Sequence, residues 1–350
     1  MDKLSKSKSI RAVDLFCGAG GLTRGLLDAG IEVVAGIDID ALCKFAYESN
    51  NPGAQFLCKK VENVTAADLK RYWGTGAIRL LAGCAPCQPF STYSQARDPS
   101  NDERFPLLLH FERLIRETLP ELVTMENVPN VALHSVFEQF KKTLESLKYK
   151  VWAGVVECPE IGIPQMRRRM VLLASRKSKV APSFHFKPIK SLPTVRGAIG
   201  SLPKLKAGQM HPTDRLHRCQ ALTPINQKRI KASKPGRTWR DWPEQLRLPC
   251  HKRESGKGYA SVYGRMNWDL PGPTMTTQCY NYGSGRFGHP KDDRPISLRE
   301  AALIQSFPKN YQFDSESVPL SVQKIAKMIG NAVPVLLGEA VGNSLKKSLK

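Results

Sequence analysis

Two short segments carry side chains able to do chemistry on one substrate. Pro86-Cys87-Gln88 puts a thiol in a stiff turn directly after the apolar run Arg79-Leu-Leu-Ala-Gly-Cys84. Glu126-Asn127-Val128 puts a carboxyl directly after a second run, Glu121-Leu-Val-Thr-Met125. Both runs read as buried strands, and ligands of an open α/β sheet lie at the carboxyl ends of its strands. A thiol and a carboxyl delivered there together suggest a nucleophile and an acid. Singly, each has a plainer reading: a buried cysteine is usually inert packing, and a glutamate before asparagine often caps a helix.

A third segment lies near the N-terminus. Val13-Asp-Leu-Phe16 reads as a strand, Cys17-Gly-Ala-Gly-Gly21 as a glycine turn and Leu22 to Asp28 as a helix; a second strand, Glu32 to Ile37, ends at Asp38-Ile39-Asp40. Glycines let the backbone approach a ligand closely, and a helix start offers N–H groups. An acid after the second strand suits a ribose diol. A dinucleotide site is also compatible, although the glycine spacing is not G-x-G-x-x-G, which argues against NAD.

These segments, in this order, resemble the cytosine-5 DNA methyltransferases over most of the chain. Phe16-Cys-Gly-Ala-Gly-Gly21 looks like that family's S-adenosylmethionine loop, and Asp38-Ile39 like its ribose and adenine contact. Pro86-Cys87-Gln88 is similar to its nucleophile motif, Glu126-Asn127-Val128 to its acid motif, and Gln165-Met-Arg167-Arg-Arg169 to the motif that grips the target base. Arg294 to Pro308 resembles a segment that props the recognition domain, and Gly330-Asn331-Ala332-Val333-Pro334 the last motif, which closes the cofactor site. The resemblance implies cofactor contacts from Phe16, Gly18, Ala19, Gly20, Gly21, Leu22, Asp38, Ile39, Pro86, Asn331 and Val333. One position departs: Lys60 stands where the family places an acid for the adenine amino group, so Glu62 substitutes or backbone and apolar contacts hold the ring.

The elements that must position these residues alternate. Candidate strands are 11–16, 32–38, 79–84, 121–126, 151–157 and 169–174; candidate helices are 21–29, 41–50, 107–118 and 136–147. That rhythm predicts an α/β fold with a mostly parallel, doubly wound, Rossmann-like sheet. The pattern breaks near Lys177, and the chain to about Gly288 is rich in Pro, Gly, Lys and Arg. Helical patterns return at 297–305 and 321–348. The expected division is a catalytic domain of residues 1–180 plus 291–350 and a smaller, irregular, basic recognition domain of residues 181–290.

The chain of 350 residues has 53 basic and 31 acidic side chains, a net +22. Residues 181–270 hold 18 Lys or Arg and 5 Asp or Glu, so this segment supplies +13 of it. Such a surface suits a polyanion, with phosphate contacts giving affinity and salt dependence but no sequence choice. Nine cysteines, odd in number and scattered, do not form a disulfide framework and fit a reducing compartment. Cys84-Ala-Pro-Cys87 has redox or half-zinc spacing, but no second such pair exists and no metal is expected. The N-terminus lacks the apolar core of a signal peptide, and no apolar run approaches the roughly 20 residues that span a bilayer.

Carbon 5 of cytosine is a poor nucleophile. A Cys87 thiolate adding at carbon 6 would make the ring enamine-like, and Glu126 would hydrogen-bond or protonate nitrogen 3. By resemblance Arg169 holds the base carbonyl and Arg167 braces the site, with Gln165 ordering the turn and Arg168 facing away. A duplex hides carbon 6, so the base must be flipped out at roughly a few kcal/mol. The polar stretch from Pro89 to Arg104 suits a closing lid, with Gln88, Ser91 and Arg104 against DNA. Arg237, Arg240 and Arg265 are further DNA-binding candidates, and Trp239, Trp242 and Trp268 candidate core of the second domain.

The reading that follows is a bacterial or phage DNA (cytosine-5-)-methyltransferase: monomeric, cytoplasmic and nucleoid-associated, with double-stranded DNA as partner and a cognate restriction endonuclease acting separately. A tRNA cytosine methyltransferase is the alternative within the same chemistry, but Thr276-Thr-Gln-Cys-Tyr280 lacks the Cys-Phe-Thr signature of that branch. A silent DNA-binding scaffold would be expected to lose the thiol, the acid or the glycine loop. A nicotinamide oxidoreductase leaves Cys87, Glu126 and the arginine motif unexplained.

Overall fold

The computed structural model describes residues 9–86, 106–256 and 258–349. The chain forms two compact units: Met1–Glu157, Arg168–Pro188 and Val333–Lys350 make the first, and Cys158–Arg167 with Ile189–Ala332 the second. The boundaries differ from those expected from composition, because residues 291–332 and 158–167 pack within the second unit. The buried amide of Gln165 joins these stretches, donating to Ile304 O at 3.2 Å and accepting from Met275 N at 2.8 Å.

The first unit is a seven-stranded sheet. Its strands are β1 (Ile10–Leu15), β2 (Glu32–Asp38), β3 (Gln55–Cys58), β4 (Ile78–Gly83), β5 (Leu122–Asn127), β6 (Lys150–Glu157) and, after the two-residue β7 (Gln165–Met166) of the second unit, β8 (Arg168–Ser175). The order is β3-β2-β1-β4-β5-β8-β6. Only β8 runs against its neighbours; every other pairing is parallel. The expected α/β, mostly parallel sheet is therefore present. Helices α1 (Gly21–Asp28), α2 (Cys43–Asn50), α3 (Ala66–Trp73), α4 (Pro106–Thr118) and α5 (Ser135–Ser146) link the strands.

Side chains alternate across a strand, and here both sets are buried. Val13, Leu81, Val123 and Leu172 pack with Trp73, Phe111 and Phe140 of α3, α4 and α5. Their neighbours Ala12, Leu80, Leu122 and Leu173 are equally inaccessible. Burial on both faces explains why the strands read as continuous apolar runs. β3 and α3 lay outside the sequence reading. β3 has four residues with only Phe56 buried, too short for a periodic signal. α3 did carry a signal: Thr65 and Asp68 form a reciprocal capping box.

The second unit is irregular. It contains α6 (Val195–Ile199), α7 (Pro224–Ala232), α8 (Pro249–Lys252), the two-residue β9 (Gly272–Pro273) paired with β7, α9 (Leu298–Ile304) and α10 (Val322–Asn331). Ile230, Trp239, Trp242 and Tyr282 make a small core. Trp268 does not join it; half-buried, it stands edge-on to His289 with Arg196 over its ring. At α9, the buried Arg294 guanidinium donates to both Glu300 oxygens at 2.8 Å while Glu300 closes a capping box with Ser297.

Helix α11 (Val335–Lys347) returns to the first unit. The stretch Val322–Lys347 is long and apolar enough by composition to cross a bilayer, contrary to the sequence estimate. It breaks at Ala332-Val333-Pro334, and 78% of its most apolar window is buried in protein, so the apolarity serves the two cores. α11 lies directly against α1. A Cβ added at Gly25 would meet Val335 O at 2.3 Å and Glu339 N at 2.5 Å, both backbone atoms that cannot swing away. In an exposed helix, Gly→Ala gains about 1 kcal/mol. Here Gly25→Ala should instead lose about 2–3 kcal/mol, read as a lower urea midpoint. An unchanged or higher midpoint would show that the helices can separate freely.

Candidate functional site

The first group of predicted residues sits at the carboxyl ends of β1 and β2. Phe16 adopts a left-handed backbone (φ 58°), a costly state for a residue with a side chain. Gly20 (φ 90°) then turns the chain into α1, whose start has no side-chain cap. Such a helix start is suited to an anionic group. Asp38 clasps the loop: one carboxyl oxygen accepts from Gly18 N and the other from Asp40 N, each at 2.8 Å. Burial holds this carboxyl above the ordinary carboxylate range despite both bonds. Beside it Ile39 is 63% exposed, an apolar face left to solvent at the strand end. Ala19, Gly20, Gly21 and Leu22 are buried under the turn, and Pro86 is half-buried after β4. Asn331 is the exposed last residue of α10, and Val333 is buried two residues on. Lys60 pairs with Glu62 at 3.5 Å, both well exposed.

Sequence reasoning missed Asp14, which lies beneath this loop. It is fully buried; Oδ2 accepts from Thr23 Oγ1 at 2.7 Å and Oδ1 has no hydrogen-bond partner among the described residues. Burial pushes its pKa up to about 7. The folded state therefore holds the proton more tightly than the unfolded chain, so stability is lost as pH rises from about 4 through about 7. The full cost is about 4 kcal/mol above pH 7. Asp14→Asn should remove that dependence. Its stability relative to the parent should rise by about 2–3 kcal/mol between pH 5 and pH 8, measured by urea unfolding at both. Parallel profiles for the two proteins would refute it.

The second group sits where β4 and β5 end and β8 begins. Glu126, the penultimate residue of β5, is 5% exposed. Cys84 Sγ, just past β4, donates to Glu126 Oε2 at 2.7 Å. Arg169 Nε stands 2.7 Å from Oε1 as an ion pair. That approach lies off the hydrogen-bonding direction, so Oε1 accepts no hydrogen bond among the described residues. A buried carboxylate oxygen with open acceptor capacity is unusual and marks a candidate ligand contact. Asn127 ties the strand ends together, donating from Nδ2 to Ala85 O at 3.2 Å. Cys84 entered the sequence reading only as half of a C-x-x-C; its hold on Glu126 follows from the parallel register of β4 and β5.

In the arginine motif, Arg168 is exposed and paired with Glu157 at 2.6 Å. Arg167 is 3% exposed, donating to Met275 O at 3.2 Å and Ala332 O at 3.3 Å within the second unit. Cys87, Gln88, Ser91 and Arg104, with the expected lid, lie outside the described residues. No cluster able to hold a metal exists among the described residues.

Of the three arginines expected on DNA, Arg237 and Arg240 are exposed. Arg265 is not: it is 4% exposed and its guanidinium donates to Ile230 O, His289 O and Asp292 O and pairs with Asp293. Its fork ties segments of the second unit together, which sequence spacing did not reveal.

The chain matches the family model for C-5 cytosine-specific DNA methylase over residues 10–347. It is 47% identical over 343 residues to the type II methylase M.HgiDII of Herpetosiphon aurantiacus, covering 97% of this chain and 95% of that one. It is 32% identical over 356 residues to the type II methyltransferase M.PspPI of a Psychrobacter species, covering 98% and 80%. Among solved structures, a prophage-encoded protein of E. coli described as a DNA modification methyltransferase matches with TM-score 0.74 at 21% identity, over 97% of this chain and 99% of that one. The chain belongs to the C-5 cytosine-specific DNA methylase family.

Proposed function

We propose that this DNA (cytosine-5-)-methyltransferase flips one cytosine out of duplex DNA and attacks it with Cys87, as the modification enzyme of a bacterial type II restriction system. The observation that carries the reading is the state of Glu126. It is a buried carboxylate at a strand end, with Oε2 accepting from Cys84 and Oε1 held by the charge of Arg169 but by no hydrogen bond among the described residues, so that a ligand donor can complete it. An extruded cytosine edge supplies such a donor. The Cys87 thiolate forms a bond to carbon 6, electron density moves toward carbon 5, and a proton donated by Glu126 to nitrogen 3, returned to it when the ring rearomatises, keeps charge from building on the ring. Arg169 holds the carbonyl oxygen and Arg167 braces the motif. After carbon 5 is methylated, its proton leaves and the Cys87–carbon 6 bond breaks, regenerating thiolate and aromatic base.

S-adenosylmethionine, when bound, supplies an activated methyl group. The residues present fit it. The uncapped start of α1 suits its carboxylate, Asp38 its ribose hydroxyls and exposed Ile39 its adenine; Phe16, Gly18, Pro86, Asn331 and Val333 are its further proposed contacts. Residues 181–290 act as the recognition region, with Arg237 and Arg240 facing DNA. We place the enzyme in the cytoplasm as a monomer, with its cognate endonuclease acting separately. The test is transfer of labelled methyl from S-adenosylmethionine to unmethylated genomic DNA, with bisulfite sequencing of the product. Conversion-resistant cytosines in one short motif are expected. Transfer to tRNA alone, or no transfer despite tight DNA binding, would overturn the reading.

A further inference from the structure

The second unit contains a cavity of about 200 Å³ that the proposed chemistry does not use. Its polar lining is Arg237, Arg286 and Asn267; Met266 and Pro273 are among its apolar residues. Arg286 Nε is buried without a hydrogen-bond partner among the described residues. Neither guanidinium forms an ion pair or side-chain hydrogen bond with a described residue. Asn267 Oδ1 accepts from Asp269 N at 3.0 Å, and its Nδ2 lies beside the lining residue Gly236, so its amide adds a donor there.

The frame around these groups is fixed by backbone hydrogen bonds. Arg265 N donates to Arg237 O at 3.2 Å, Gly264 N to Gly285 O at 3.2 Å, and Gly288 N to Gly264 O at 2.8 Å. Gly264 admits the Arg286 stem: a Cβ there would lie 2.7 Å from Arg286 Cγ. Two like charges held in one concavity with no carboxylate partner repel each other, and an anion relieves that repulsion. Two guanidiniums and an amide NH₂ supply donors here, so a ligand that presents acceptors fits best. The volume is below the roughly 300–1,000 Å³ of small-molecule sites. A guanine edge also presents two acceptors, but it is recessed in a groove that a concave surface cannot enter. A phosphate projects from the duplex, and arginine grips it bidentately.

We propose that Arg237 and Arg286 clamp one backbone phosphate of the substrate duplex, with Asn267 as a third donor. The proposal rests on duplex DNA being the substrate. Such a clamp sets the register of the duplex and carries no sequence information.

The experiment measures binding of a fluorescent duplex containing the methylated motif across a salt series, for the full chain and for the R237Q/R286Q double variant. Bisulfite maps are made with the same preparations. One lost phosphate contact should make the slope of log K against log salt shallower by about 0.9 and weaken binding about tenfold at low salt, with the motif unchanged. R237K/R286K, which keeps both charges, should restore the slope and serves as the folding control. An unchanged slope with affinity within twofold would overturn the clamp. So would a motif relaxed at one base pair, which would make the pair a base reader. A parent protein that binds duplex yet transfers no methyl group would sink the catalytic reading while the slopes still decide the clamp. No duplex binding at all would sink both.

Discussion

Replacing Cys87 with alanine is expected to lower methyl transfer by about 10⁴-fold or more, with duplex binding retained within a few fold. Carbon 5 of cytosine has no nucleophilic character to speak of until a bond forms at carbon 6, so removing the attacking sulfur removes the pathway rather than slowing one step of it. Only a thiol has both the acidity and the nucleophilicity for this at neutral pH. Cys87→Ser should therefore be nearly as inactive, although it differs by one atom. The chain leading to Cys87 is firmly placed: β4 ends at Gly83, Cys84 reaches Glu126, and the carbonyl of Ala85 is held by Asn127. Single-turnover transfer of labelled methyl, alongside fluorescence anisotropy with duplex DNA, separates chemistry from binding. Transfer by Cys87→Ala at the parent rate would end the covalent mechanism.

The first unit was legible in the sequence because its signals are local. Buried strands such as Leu122 to Asn127 are continuous apolar runs, and a residue just past such a run must emerge at a strand end. That is enough to place Asp38 and Glu126 without knowing the fold in detail. What stayed hidden depends on contacts between distant segments. Cys84 and Glu126 are 42 positions apart, and their contact needs β4 and β5 to be neighbours in one register. Asp14 looks like any strand residue until the helix above it closes over its carboxyl. Arg265, like Arg237, follows a glycine and lies within three residues of a tryptophan, yet one is buried in carbonyl oxygens and the other exposed. Nothing local separates a structural fork from a free one. The boundary of the second unit was misplaced for a related reason: composition changes at 181 and 291, but packing follows Gln165 and the α9–α10 pair.

Glu126→Gln is expected to reduce kcat for transfer by about 10²–10³-fold, with a smaller effect on KM for DNA. The substitution nearly preserves shape, so the loss reports the chemistry of the group. An amide at this position can still accept from Cys84, but it can neither give a proton to a ring nitrogen nor hold Arg169 by charge. One of its orientations also turns an NH₂ group toward that guanidinium, 2.7 Å from where the carboxylate oxygen stood. Glu126→Asp tests placement rather than charge. Drawing the carboxylate back by one methylene would break the reach to Cys84 or to the base, and a displacement of about 1 Å in such a site can cost about 10²-fold. A purely structural role predicts a different ordering. Aspartate would keep the ion pair with Arg169 in some form, and glutamine, lacking the charge, would be the less stable protein with normal kcat in its folded fraction. Unfolding midpoints for both variants, measured with their single-turnover rates, distinguish the two. If folded Glu126→Gln transfers methyl within threefold of the parent, the carboxylate is a brace and the acid must be sought elsewhere.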